Sequence, residues 1–354
     1  MDITRINKSK IDQIDFDHLP FGEVFTDHMF VCDYQDGEWQ TPTIVPYQPL
    51  QLDPSCSVLH YGQAVFEGMK AYKDQEGQAW LFRPEENCKR INTSSKRLAI
   101  PEFPEAYFHE GLTQLLALDH AWIKPGMGNS LYIRPFVFAS EPGVSASPSN
   151  AYKFMIICAP VNAYYSGEIN VLIAEEYSRA ASGGVGYAKA AGNYAASFYP
   201  AKLAQKEGYQ QIIWTDAATH EYLEEAGTMN IFFRVNDRLI TAPVTDTILD
   251  GITRKSVIQI AQDMGIEVEV RPIKVAEIIE AHQKNQLIEI FGAGTAVVVS
   301  PISSIGFRGK RYSLPKTDES HSYAEKIKKQ ILGIQYNTAP DPYGWRKAVD
   351  AAID

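Results

Sequence analysis

Apolar runs with the character of strands fall at Leu131 to Ala139 and Lys153 to Pro160, and helical periodicity falls at Pro84 to Leu98 and Pro104 to Trp122. Together these predict one α+β unit over residues 1–165. The stretch from Tyr164 to Gly192 holds a single apolar, strand-like run, Asn170 to Ala174, and then AASGGVGYAKAAG, a Gly/Ala/Ser-rich composition suited to backbone that bends sharply or approaches a ligand closely. It is expected to act as an interdomain loop over 166–185. Beyond it, Asn193 to Glu207 reads as a helix ended by Gly208, with Pro200 expected to kink it or force an irregular turn. Strands follow at Gln211 to Thr215, Thr228 to Val235 and Arg238 to Pro243, the last two joined by a tight Asn236-Asp237 turn. Val257, Ile260, Ala261 and Met264 form the stripe of an amphipathic helix that starts at Gly251-Ile252-Thr253 and closes at Gly265. A strand from Gln286 to Phe291 runs into a glycine turn at 292–296, and a last helix covers Tyr323 to Leu332. Residues 186–354 thus make a second domain, and the whole is an α+β, or α/β, two-domain chain.

Composition narrows the partners. With 354 residues, 45% hydrophobic and 21% charged, the chain is long enough for two cores and has nothing of a disordered or coiled-coil sequence. A formal charge of −10 offers no general attraction to phosphate backbones or anionic lipid, so neither nucleic acid nor membrane is an expected partner. The charged amino terminus, MDITRINKSKIDQIDFD, has no apolar core to serve as a signal peptide, and a cytoplasmic protein is expected. Cys32, Cys56, Cys88 and Cys158 are far apart and form no CxxC pair, and the histidines are scattered, so neither disulfides nor a metal site is expected.

Candidate chemistry gathers around few residues. Lys189 stands among small neighbours with no adjacent acid; a lysine in such a dry, crowded place becomes an amine nucleophile toward carbonyls. The helix start at Gly251-Ile252-Thr253 and the turn at 292–296 each aim backbone N-H groups and a threonine hydroxyl at an anion, without matching a P-loop or a dinucleotide fingerprint. Of Glu224 and Glu225, adjacent in an extended segment, one should point inward and the other to solvent. Tyr132 and Arg134 share one strand face, on which a carboxylate or an internal salt bridge fits equally well.

In order along the chain, FGEVFTDHMF (21–30), LHYGQAVFEGMKAYK (59–73), LFRPEENCKRINTSSKRL (81–98), LYIRP (131–135), KAAGNYAASFYPAK (189–202), YLEEAGTMNIFF (222–233), LDGITRKSV (249–257) and FGAGTA (291–296) resemble the branched-chain amino acid aminotransferases. These are class IV aminotransferases that use pyridoxal 5'-phosphate, with a fold type IV architecture like that of D-amino acid aminotransferase. The resemblance implies that Lys189 forms the Schiff base with the cofactor and then carries protons as general acid and base. It implies that Tyr194 hydrogen-bonds the cofactor's phenolic oxygen, that Glu225 pairs with the pyridine nitrogen, and that Arg83, Ile252, Thr253 and Thr295 hold the phosphate. The substrate contacts it implies are Phe21, Tyr61, Phe66, Tyr132, Arg134, Tyr164, Thr228 and Ala296.

The implied reaction is transfer of the amino group between leucine, isoleucine or valine and 2-oxoglutarate, a step of branched-chain amino acid biosynthesis. The implied site lies between the domains of a homodimer or larger homo-oligomer. A D-amino acid aminotransferase or an aminodeoxychorismate lyase of the same fold is the alternative. Two departures stand out: Val297 to Ser300 lacks the CxxC pair of the mammalian branch, and Ala191-Gly192 replaces the family's Gly-Gly before Asn193-Tyr194.

Overall fold

The computed structural model describes residues 1–162 and 169–349. The chain forms two compact units. The first takes the described residues up to Asn162, then Ala188–Gly192 and residues 333–349; the second takes residues 169–187 and Asn193–Leu332. This division differs from the expected boundaries in three ways. Residues 188–192 join the first unit because Ala190 bridges to Val65 and the Lys189 carbonyl accepts the Phe66 N-H at 3.1 Å. The chain end joins it as well, since Arg346–Val349 pairs antiparallel with Ala79–Phe82. The strand-like run at 170–174 is a strand, Asn170–Ile173, interior to a sheet of the second unit and parallel to both Gln211–Thr215 and Ser304–Phe307, so residues 170–173 are not part of the loop expected over 166–185.

The first unit is built on a ten-stranded sheet whose path runs Asp2–Ile3, Thr43–Pro46, His28–Gln35, Tyr152–Val161, Ser130–Ala139, Met69–Lys73, Ala79–Phe82 and Arg346–Val349, with Glu38–Trp39 beside His28–Gln35 and Ala64–Phe66 beside Ser130–Ala139. Alternation in SLYIRPFVFA decides which face is which. Leu131, Ile133 and Val137 turn into the core with Cys88 and Ile91 of the helix Pro84–Arg97 and with Phe108, Leu112 and Leu115 of the helix Glu105–Leu118. Tyr132, Arg134 and Phe136 stand half-buried on the opposite face. Pro84 opens its helix at a position that needs no N-H, Glu85 and Glu86 sit in the first turn, and Lys96 and Arg97 in the last, all matching the helix dipole. Gly111 is required where Glu105–Leu118 meets the sheet, because a Cβ there would lie 2.2 Å from the Phe30 ring.

The second unit holds a six-stranded sheet, ordered Ile273–Lys274, Tyr222–Ala226, Gln211–Thr215, Asn170–Ile173, Ser304–Phe307 and Lys310–Ser313, and a five-stranded sheet, ordered Glu267–Val270, Arg238–Thr241, Asn230–Val235, Leu287–Gly294 and Val298–Pro301. Ile173, Ile213 and Leu223 from one sheet and Ile231, Phe233 and Ile290 from the other meet in one core with Ile278 of the helix Val275–Gln283.

Several sequence expectations are corrected. Pro200 lies buried inside the helix Ala191–Lys206, so it forces no irregular turn there; what it removes is one hydrogen-bond donor within that helix. Met264 is the exposed carboxyl-terminal cap of Ile252–Asp263 rather than the last member of its buried stripe. Gly292 and Gly294 are strand residues paired with Val298–Pro301 and adjoining Met229, and the turn starts only at Thr295. Glu224 does not face solvent: both Glu224 and Glu225 are buried, at 7% and 6% exposure, because Tyr222–Ala226 is covered on both faces.

Candidate active site

In the first unit the half-buried face of Ser130–Ala139 carries an aromatic and cationic cluster. Arg134 Nη2 donates to the Tyr132 hydroxyl at 3.0 Å, and its guanidinium stacks 4.6 Å from the Phe66 ring centroid and 5.3 Å from that of Tyr132. Among the described residues no carboxylate pairs with it, and its Nε has no hydrogen-bond partner. The internal salt bridge that the sequence left open is therefore absent there. Phe21, 41% exposed, meets the Tyr132 ring edge-on at 5.2 Å. Gly68 lets the tyrosine lie flat against the backbone: a Cβ there would come within 2.3 Å of the hydroxyl.

Lys189 is anchored on either side by Ala188 and Ala190, both in the core, and its N-H donates to Ser94 Oγ at 2.8 Å. Its half-buried side chain reaches back to the same cluster, with Nζ 5.0 Å from the Phe66 centroid. Arg83 caps the helix Pro84–Arg97 in a left-handed conformation, φ 53°, a costly backbone state for a residue with a Cβ. Its guanidinium lies over the Trp345 ring at 4.8 Å. Tyr61 ends the short helix Ser57–Tyr61, 47% exposed, its hydroxyl bonded to the Val144 carbonyl. Tyr164 lies outside the described residues.

Two charged residues of this unit escaped the sequence reading. Glu67 is fully buried, its carboxylate held by Arg90 through Nε at 2.7 Å and Nη2 at 2.9 Å, and by Asn87 at 2.8 Å. Burial pushes its pKa up, but the Arg90 charge and hydrogen bonds outweigh that, with Lys189 adding to them, so the net displacement is downward. Lys70 sits opposite Tyr132 in the sheet register and is 8% exposed; burial pulls its ammonium down to about 8. Nothing in the sequence pairs Glu67 with a residue 23 positions away.

In the second unit Glu225 is gripped from three sides. Arg179 Nη2 lies 2.8 Å from Oε1, and Oε2 accepts from Asn230 Nδ2 at 3.1 Å and from the Leu249 N-H at 3.2 Å. Its neighbour Glu224 accepts from Thr247 Oγ1 at 2.6 Å, and burial raises its pKa. Asn230 also packs on Gly251, where a Cβ would fall 1.8 Å from Oδ1. Gly251 is thus a cradle only glycine fits, and it leads straight into Ile252 and Thr253, the first helical residues of Ile252–Asp263, whose leading N-H groups are the ones a helix leaves for an anion. Thr295 and Ala296 sit half-buried in the turn after Leu287–Gly294; two residues on, Val298 is held at φ 60°, a strained state for a β-branched side chain. Thr228 is exposed in the turn that joins Ala226 to Met229, its carbonyl 3.2 Å from where a Gly294 Cβ would be. Tyr194, half-buried, is in the first turn of Ala191–Lys206.

These residues fit pyridoxal phosphate on chemical grounds: an amine set between core alanines, a buried carboxylate whose acceptor atoms are fixed, and a helix start shaped for an anion. Among the described residues no cluster suited to a metal ion occurs, the four cysteines are buried and unpaired, and no helix is long and apolar enough to cross a membrane.

Comparison with known proteins places this chemistry in a family. Residues 64–305 match the amino-transferase class IV family model. The chain is 43% identical over 358 residues to branched-chain-amino-acid aminotransferase 2 of Bacillus subtilis, covering 100% of this chain and 98% of that one. It is 42% identical over 334 residues to the branched-chain-amino-acid aminotransferase of Mycolicibacterium smegmatis, covering 92% and 90%. Among solved structures, the Escherichia coli branched-chain amino acid aminotransferase superposes with a TM-score of 0.73 at 25% identity, covering 92% of this chain and 99% of that one. The branched-chain aminotransferase of the thermophilic archaeon Thermoproteus uzoniensis, solved with norvaline, superposes with a TM-score of 0.74 at 25% identity, covering 90% and 99%. The expected two-domain α/β architecture is therefore the one found, and the chain belongs to the class IV aminotransferases, within the branched-chain amino acid aminotransferase family.

Proposed function

We propose that this protein transfers the amino group between leucine, isoleucine or valine and 2-oxoglutarate, using pyridoxal phosphate and returning the branched-chain 2-oxo acid and glutamate. The observation that carries the reading is Arg134: a half-buried guanidinium set between two aromatic rings, with a neutral hydroxyl as its hydrogen-bond partner. Such a surface accepts an aliphatic side chain against Phe66, Phe21 and Tyr132 in one half of the cycle. In the other half Arg134 binds the distal carboxylate of glutamate or 2-oxoglutarate by charge-assisted hydrogen bonds.

When bound, pyridoxal phosphate supplies a carbonyl for the amino group and a ring that withdraws the electrons left when the Cα proton departs. Lys189 would hold the cofactor at that carbonyl, and its amine would move the proton to and from the substrate's Cα. Glu225 keeps a proton at the ring nitrogen, and Tyr194 donates to the phenolic oxygen. Arg83, the backbone at Ile252 and Thr253, and Thr295 bind the phosphate. Tyr132 orients the α-carboxylate, with Tyr61, Tyr164, Thr228 and Ala296 completing the pocket. A homodimer or larger homo-oligomer is the working form, supported by the exposed apolar residues Leu59, Tyr61 and Val144.

Steady-state assays of L-leucine, D-alanine and aminodeoxychorismate on one preparation test the proposal. Turnover of L-leucine with 2-oxoglutarate is expected. Preference for D-alanine or the chorismate derivative would assign the chain to a different activity of the same fold.

A further inference from the structure

Arg179 belongs to none of the roles above, yet its guanidinium lies 2.8 Å from the carboxylate assigned to the ring nitrogen. It lies in the irregular stretch after Asn170–Ile173, its side chain 7% exposed, and one nitrogen, Nη2, meets Glu225 Oε1, the Gly186 carbonyl at 2.9 Å and the Thr247 carbonyl. Acidic groups lie nearby: Glu224 is beside Glu225 on the strand, and Asp216 and Asp246 act on Glu224, as does Arg179 with the opposite sign. Glu224 is deprived of solvent and holds its proton more tightly than an ordinary carboxylate. Glu225 is the one met by three donors, an arrangement that suits an acceptor on both oxygens.

We propose that Arg179 is a positioning residue for the reaction: by fixing a positive charge behind Glu225, it drives the shared proton off the carboxylate and onto the ring nitrogen. The inference rests on the reading of Glu225 as the nitrogen's partner. In a buried pair the proton has two resting places, giving either carboxylate with pyridinium or carboxylic acid with neutral pyridine. The second arrangement avoids charge separation where water is scarce. A guanidinium behind the carboxylate reverses the order, because the negative charge is then next to it and the new positive charge is farther away. An adjacent opposite charge shifts a carboxyl by about 1–3 pKa units, so the preference changes by about 10- to 1000-fold.

The test is the nitrogen resonance of holoprotein reconstituted with ring-15N pyridoxal phosphate, which separates pyridinium from free pyridine, recorded for wild type, Arg179→Gln, Arg179→Lys and Glu225→Gln alongside their thermal melts. Wild type and Arg179→Lys should show pyridinium, and Arg179→Gln and Glu225→Gln should move toward the free base. A lysine keeps the charge, but its shorter side chain does not bring its nitrogen to where Nη2 meets the three oxygens, so a role confined to bracing the loop would make both Arg179 variants melt early while leaving the resonance in place. A wild-type resonance in Arg179→Gln with a shifted one in Glu225→Gln overturns the inference alone. Resonances unmoved in both overturn the reading of Glu225 and the inference with it.

Discussion

Replacing Arg134 with methionine separates the two halves of the reaction. Methionine keeps much of the side chain's volume and its contact with Phe66, so the aliphatic subsite survives. What disappears is the guanidinium. A charge-assisted hydrogen bond to a carboxylate contributes about 1.5–3 kcal/mol, which at about 1.4 kcal/mol per tenfold is a loss of roughly 10- to 150-fold in the glutamate half-reaction. The leucine half-reaction loses only indirect support: the 3.0 Å hydrogen bond that orients the Tyr132 hydroxyl and the stacking on Phe66. A neutral hydrogen bond of that kind is worth about 0.5–1.5 kcal/mol, an upper limit near tenfold. Single-turnover kinetics with L-leucine and with L-glutamate, each followed by the absorbance of the bound cofactor, measure the halves separately. Equal slowing of both would show that Arg134 organises the whole pocket and would refute the dual-specificity argument.

Two other changes act on different parts of the same unit. Gly68→Ala puts a methyl group 2.3 Å from the Tyr132 hydroxyl, so the tyrosine tip must move; both half-reactions should slow together while the melting temperature stays nearly constant, since only the far end of one side chain is displaced. Glu67 has a folded-state pKa below its unfolded value, so the stability it contributes is present above the unfolded pKa and is lost as pH falls through the folded one. Glu67→Gln should cost about 3–5 kcal/mol near neutral pH by leaving Arg90 uncompensated, and should flatten the acid limb of a stability-versus-pH curve measured by denaturant unfolding. An acid limb as steep as in wild type would assign that limb to other carboxylates.

Most elements, and the pieces of the site, were legible because local chemistry announces them. The Gly251 start of Ile252–Asp263 and the alternation that puts Tyr132 and Arg134 on one face depend only on neighbouring residues. Ordered motifs then identified the family where single ones were ambiguous. What stayed hidden depends on contacts distant in sequence. The grouping of Lys189 with the first unit depends on pairing with Val65 and Phe66, more than a hundred residues earlier. Arg179 and Glu225 are 46 positions apart, and Glu224 is buried because of what covers its strand rather than because of its own segment. Gly292 and Gly294 read as turn residues because glycine marks both turns and strands that press on a neighbouring backbone or side chain; the Met229 contact that distinguishes the two is tertiary.

The central claim is that Lys189 is the amine that holds the cofactor. Reducing the holoprotein with borohydride and mapping the pyridoxyl-labelled peptide tests it without reference to activity. The label is expected on Lys189 within the segment Ala188–Gly192, and Lys189→Ala should carry none while still binding the cofactor weakly. A label on another lysine, whether Lys202 on the helix Ala191–Lys206 or Lys70 opposite Tyr132, would contradict the assignment and every role built upon it.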